Sequence, residues 1–313
     1  MSAQTEKNPA DEAPEWMQHE ERGNMFWLRV MRWLSLMLGR RLSRTVVYGI
    51  ALYFVLAVPA ARKASRAYLA RILERPVTWF DVYRHIYTFS STIHDRIYLL
   101  NDRHDLFDIR VFGTEPIHAL LDHNSGLFLF GAHLGSFEVL RSHARDNPGL
   151  KVCIAMYPEN AGRLNGALTA INPQAMQDIV ALGQINSMLT IHNKLQEGAV
   201  VGILADRASG PDQYISLPFL GAPARFPTGP FRMAAMLKYP VHFMAGLYRG
   251  GNRYDIHFEL LSDFSEPNPA GRDAEVREVL EKYVAALERN CKSAPFNWFN
   301  FYDFWESASC DEV

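Results

Sequence analysis

Between Arg22 and Arg71 the chain contains no Asp or Glu, although these acids number 34 in its 313 residues. The same span carries ten basic side chains: Arg22, Arg29, Arg32, Arg40, Arg41, Arg44, Arg62, Lys63, Arg66 and Arg71. An overall charge of −2 therefore divides into a cationic amino-terminal segment and an acidic remainder, which fits an anionic partner. Cysteine is also scarce. Cys153, Cys291 and Cys310 are odd in number and lack metal-ligand spacing, which argues against a disulfide framework and for a reduced, cytoplasmic setting. His118, His123 and His143 lack the spacing of a zinc site. There is no internal repeat and no low-complexity linker, and the polar, acidic opening predicts no cleavable secretory signal.

What is present is apolar: 48% hydrophobic and 12% aromatic residues, enough for one large domain with appendages. Residues 1–20 are polar and proline-bearing and are expected to be a disordered tail. Residues 21–75 are expected to form membrane-associating helices. At about 100° per residue, Arg22, Arg29 and Arg40 fall on one stripe with Arg32 beside it. Trp27, Trp33 and other bulky apolar residues cover the rest, a pattern suited to the headgroup layer of an anionic membrane. Residues 45–61 are uncharged, and as a helix of about 25 Å they sit at the short limit for spanning a bilayer. Basic residues flank both ends, so the positive-inside rule gives no orientation. An embedded, monotopic helix pair is preferred to a span, and a buried core helix is the alternative. Nucleic acid is not the expected partner, because the arginines stand among bulky apolar residues and form no open basic face.

Residues 76–313 alternate apolar strands with helices. Strands are expected at 126–131, 151–157, 199–205, 241–247 and 254–261. Helices are expected at 77–100, 137–146, 173–181, 188–197, 230–237 and 272–290. This alternation predicts an α/β fold with a mostly parallel central sheet flanked by helices. Ligands of such sheets sit beyond the carboxyl ends of the strands.

One strand ends at a chemically pointed turn: the apolar run 127–130 passes into Gly131-Ala132-His133-Leu134-Gly135-Ser136-Phe137-Glu138. An imidazole at a strand end, followed by a glycine turn and a carboxylate, suits proton abstraction from a hydroxyl. The His-x4-acid spacing alone is weak, since chance supplies about one match in a chain of this composition. A second match, His192 with Glu197, lies in an expected helix, where residues five apart point about 140° apart around the axis. His133 instead precedes regular helix, so Glu138 is expected to fold back to its ring.

Further segments follow in order: Gly202-Ile203-Leu204-Ala205-Asp206-Arg207, Leu217-Pro218-Phe219-Leu220-Gly221-Ala222 and Pro227-Thr228-Gly229-Pro230. The basic, Trp-rich start, Gly39-Arg40-Arg41 and the aromatic run 298–305 complete a set. Together these resemble the lysophospholipid acyltransferase superfamily, and within it the late lipid A acyltransferase branch and its uncharacterised relatives. The resemblance implies acyl transfer from an acyl carrier protein or CoA thioester to a hydroxyl or amine of a lipid or glycolipid, at the cytoplasmic face of the bacterial inner membrane. It implies no metal or cofactor beyond the thioester co-substrate. His133 would be the general base and Glu138 would hold its tautomer, as the acid of a triad does. Arg163, by its resemblance to the family's second motif, would pair with Asp206 near the oxyanion or a phosphate. Arg207 would bind the phosphopantetheine phosphate. Gly135 would form the tight turn with backbone N–H groups available to an oxyanion. Pro218, Phe219 and Gly221 would shape the pocket wall. Ser136-Phe137 replaces the branch's usual Asn-Trp, and Ala205-Asp206-Arg207 its Asp-Gln-Asp. These departures leave the acceptor open between a lipid A precursor, another glycolipid, an aminolipid and a pigment lipid. The competing readings are a catalytically silent lipid-binding scaffold of the same fold and a metal-dependent hydrolase built on the scattered histidines.

Overall fold

A computed structural model describes residues 15–115, 125–139, 151–158, 166, 171–172, 178–184, 186–207, 213–264 and 269–305, with the side chains of 15–28 excepted. Helix α1 (Glu15–Ala57) begins inside the stretch expected to be disordered. It kinks at Gly39, whose φ of 73° is a left-handed conformation that glycine adopts without steric cost. Helix α2 (Pro59–Ile72) follows at a bend of 96°. The expected helix over 45–61 is therefore broken at Val58. Pro59 forces the preceding residue out of helical backbone and then supplies the preset φ of a first helical turn. No single described helix is long and apolar enough to cross a membrane, although the bent pair together passes that length and composition test.

Helix α3 (Trp79–Leu100) starts at a capping box in which the Thr78 hydroxyl accepts from the Asp81 backbone and the Asp81 carboxylate from that of Thr78. Arg75 and these Thr78 donors hold the Asp81 carboxyl well below the usual carboxylate range. A buried polar network fastens α1 to α3. Asp95 accepts two bonds of 2.8 Å from Arg40, two of 3.3 Å from Arg44 and one of 2.9 Å from the Tyr254 hydroxyl. Ser43 joins His94 at 2.9 Å and Tyr98 at 2.8 Å. Arg40, read from the sequence as facing lipid, is thus turned inward to a carboxylate. The outward side of α1 is apolar, with Trp33, Met37, Leu42, Tyr53 and Leu56 each more than 60% exposed.

Among the described residues the body is a seven-stranded sheet. Its strands are β1 (Asp108–Phe112), β2 (Leu127–Gly131), β3 (Val152–Met156), β4 (Asp178–Ala181), β5 (Val200–Leu204), β8 (Val241–Gly250) and β9 (Arg253–Ser262), in the order β1-β9-β8-β2-β5-β3-β4. All neighbours are parallel except the β8–β9 hairpin, as expected for an α/β fold. The central strand β2 is buried on both faces, which is why it reads as a continuous apolar run. Helices α4 (Ser187–Gln196), α5 (Gly229–Leu237) and α6 (Arg272–Ser293) flank it, close to the expected bounds. Two strands depart from the expectation. Residues 178–181, assigned to a helix, form β4, where Ile179 and Val180 pair with β3. Residues 108–112 form the edge strand β1 despite their charged alternation. Of the helix expected at 137–146, residues 137–139 are helical and the rest lie outside the described residues.

Strands β6 (Tyr214–Phe219) and β7 (Ala222–Pro227) make a separate antiparallel hairpin. Its two-residue turn, Leu220-Gly221, has φ of 50° and 80°, the paired positive values of a type I′ turn.

Candidate active site

Gly131 of β2 stands opposite Leu204 of β5 in the parallel register, and the ladder runs one step further, with Ala205 N–H donating to the Gly131 carbonyl at 2.9 Å. His133 and Asp206 each lie two residues beyond that pair, so the two strands deliver them to the same level at their carboxyl ends. The ring Nδ1 of His133 meets Asp206 Oδ1 at 2.8 Å, and the His133 backbone N–H donates to Asp206 Oδ2 at 3.1 Å. Two more donors reach Oδ2: the Trp298 indole at 3.2 Å and the Asn300 amide at 3.1 Å. Asp206 is fully buried. Burial alone would push its carboxyl up, but the attraction of His133, the two hydrogen bonds from that residue and the Arg207 charge outweigh it and hold the group down at about 2. An ionised Asp206 is acceptor-only, so in the neutral ring Nδ1 carries the proton and Nε2 the lone pair. The His133 side chain is 30% exposed, and among the described residues no protein group hydrogen-bonds Nε2. The arrangement is one that can act as a general base with its tautomer fixed.

The turn that carries His133 is clamped on both sides. Gly135 N–H donates to the Asn297 carbonyl and Ser136 N–H to that of Gly246, both at 2.8 Å, while the His133 carbonyl accepts from Phe299 N–H at 2.7 Å. Gly135 has φ of 73°, and a Cβ there would lie 2.0 Å from the Gly246 carbonyl oxygen, so only glycine fits. The N–H groups of Gly135 and Ser136, candidates for an oxyanion, are thus occupied in holding the loop.

Glu138 is placed differently from the sequence expectation. Its carboxylate, 3% exposed, pairs with Arg96 Nε at 3.0 Å, and Oε2 has no hydrogen-bond partner among the described residues. No hydrogen bond joins it to His133, whose ring carboxylate is Asp206. The local spacing suggested Glu138, whereas the pairing of β2 with β5 brings up an acid 73 residues away.

Arg207 faces the carboxyl-terminal segment: Nε donates to Asn300 Oδ1 at 2.6 Å and Nη2 to the Phe299 carbonyl at 3.1 Å, with Tyr302 stacked against it at 5.4 Å. Arg163 lies outside the described residues. Phe219 is fully buried and packs edge-on to Trp298 at 5.2 Å, Gly221 shapes the hairpin turn and Pro218 is exposed.

Sequence reasoning missed three contributors. Trp298 and Asn300 stand in the sequence only as members of the aromatic run 298–305, yet both donate to Asp206. His85 was not singled out. Its Nε2 donates to the Trp298 carbonyl at 2.8 Å while Nδ1 accepts from Ser65 at 2.9 Å, and burial lowers the ring to about 4. Nothing local in the sequence joins these residues to His133.

Of the other histidines, His192 lies on α4 as expected. His242 is buried in β8 with both ring nitrogens unpartnered and is lowered to about 4 by burial. Among the described residues no cluster of three or more His, Cys, Asp or Glu side chains is arranged to hold a metal ion.

The family described as bacterial lipid A biosynthesis acyltransferase matches residues 20–307 of the chain. No curated protein matches it.

Proposed function

The chain belongs to the bacterial lipid A biosynthesis acyltransferase family, and on that premise we propose that it moves a fatty acyl group from a thioester to a lipid acceptor, with His133 as general base. The acceptor hydroxyl or amine gives its proton to His133 Nε2 as its oxygen or nitrogen attacks the thioester carbonyl. Asp206 stabilises the imidazolium that forms. As the tetrahedral intermediate collapses, the carbon–sulfur bond breaks and the proton passes to the departing thiolate. The products are the acylated lipid and free thiol. The acceptor itself is the nucleophile, so no Ser or Cys nucleophile and no resident metal or cofactor is called for.

The observation that carries this reading is the 2.8 Å His133–Asp206 pair with Nε2 left open at the carboxyl ends of adjacent strands. The donor is an acyl carrier protein or CoA thioester, with Arg207 and Arg163 the candidates for its phosphate or the oxyanion. Glu138 acts through Arg96, as a charge that holds the helix start behind the loop. The exposed apolar side of α1 supports a monotopic seat on the cytoplasmic face of the inner membrane, where the acceptor, a glycolipid or other lipid, resides.

The test is transfer of a labelled acyl chain from carrier protein to a lipid extract. Wild type should label a lipid, and His133→Ala should lose activity by about 10³-fold or more with folding and membrane binding retained. Full transfer by His133→Ala would overturn the mechanism. Lipid binding by wild type without any transfer would favour a silent scaffold.

A further inference from the structure

A cleft of about 1320 Å³ opens among α1, α3, the β8–β9 turn and residues 293–297. Five arginines line it (Arg40, Arg41, Arg44, Arg84 and Arg249) against one lining carboxylate, Asp105, which Arg103 neutralises at 3.1 Å. Arg40 and Arg44 are committed to Asp95, and Arg249 to Asp255 at 2.8 Å. Arg41 and Arg84 are exposed and meet no carboxylate among the described residues; Arg84 lies over the Phe296 ring at 4.4 Å. The cleft therefore keeps two uncommitted guanidinium forks, a geometry matched to phosphate oxygens. Its mouth is apolar. Tyr48 and Phe80 line it while 52% and 63% exposed, and they continue onto an exposed strip that includes Leu52, Tyr53, Leu56 and Trp79.

A soluble phosphate compound has no use for such a strip, whereas a lipid uses both parts. We infer that this cleft binds the phosphate-bearing headgroup of a membrane lipid. Arg41 and Arg84 hold the phosphate, and the acyl chains lie along the outer face of α1 and the start of α3. The inference rests on the membrane-associated reading above. It also ties binding to the catalytic loop: Asn297 lines the cleft, and its backbone carbonyl accepts from Gly135 N–H. The same short segment thus forms a wall of the cleft and a clamp on the His133 turn.

Co-sedimentation of the full chain with phosphatidylcholine vesicles, with and without phosphatidylglycerol, tests the site. Arg41→Glu/Arg84→Glu should weaken binding to the phosphatidylglycerol vesicles about tenfold or more, with an unchanged melting curve. Lys238→Glu/Arg272→Glu, the same charge change at exposed positions away from α1 and the cleft, should weaken it about threefold or less. Equal effects of the two pairs would overturn the inference. So would complete displacement of wild type by inorganic phosphate at matched ionic strength, which would make free phosphate the ligand. If the cleft pair lost affinity for acyl carrier protein but kept its vesicle binding, the cleft would belong to that protein and the inference would fall. Transfer to a detergent-dispersed acceptor should survive the cleft pair. Absence of transfer in wild type, with the vesicle results as expected, would overturn the acyltransferase reading and leave the lipid site standing.

Discussion

Asp206 takes the ring N–H of His133 on one carboxylate oxygen and its backbone N–H on the other, so one buried acid fixes both the tautomer and the position of the imidazole. The β2–β5 register makes this two-point hold possible. It has consequences for stability as well as chemistry.

The first concerns acid. Asp206 is held at about 2 in the fold, below its ordinary value of 3.8, so its ionised form stabilises the native state. A depressed carboxyl contributes fully above its unfolded value and loses that contribution as pH falls from about 4 through about 2. The shift corresponds to about 2 kcal/mol. Urea unfolding of wild type and Asp206→Asn across this range should show the extra acid sensitivity in wild type alone. Parallel pH profiles would contradict it.

The glycine turn gives a graded test. Gly135→Ala places a methyl 2.0 Å from the Gly246 carbonyl oxygen, and Gly246→Ala places one 2.4 Å from that of Ser136. Each should cost about 3 kcal/mol or more and abolish activity. Gly221→Ala meets nothing within 4 Å and should cost only about 1 kcal/mol, from its positive φ. Thermal melts of the three variants check the ranking.

Glu138 and Arg96 should behave as one unit. Removing either charge strands the other partner, so Glu138→Gln and Arg96→Gln should each destabilise by about 3 kcal/mol. The double variant should cost little more than either single one. Additive losses in a double-mutant cycle would show that the pair is not coupled.

Asp95 secures the amino-terminal helix. Its carboxylate is fully buried against Arg40 and Arg44, whose side chains are 11% and 12% exposed. Burial pushes it up, but the neighbouring His94, the Arg40 bonds and the Arg44 charge keep it below the ordinary range. Asp95→Asn should cost about 3–5 kcal/mol. It should also open α1 to limited proteolysis before the sheet is cut. Unaltered cleavage would contradict this role.

The parts of this fold legible in the sequence are those with a local signal. β2, β5 and β8 are apolar runs because both sheet faces are covered, and α6 shows a long helical period bounded by Gly271. β4 has only four residues and β1 alternates charge at an edge, so neither carried such a signal. The site divides in the same way. His133 was legible from the small-residue turn that ends β2. Its partner was not, because the β2–β5 register that selects Asp206 is a tertiary fact. The Trp298 and Asn300 donors arrive from 92 and 94 residues further along the chain.

The most direct test of the account is kcat for acyl transfer by Asp206→Asn. With the acid neutralised, the ring loses its tautomer control and its imidazolium loses its counter-charge. The account predicts a fall of about 10³–10⁴-fold, with KM for the thioester changed only a few-fold. A kcat within a few-fold of wild type, in a variant that remains folded, would contradict it.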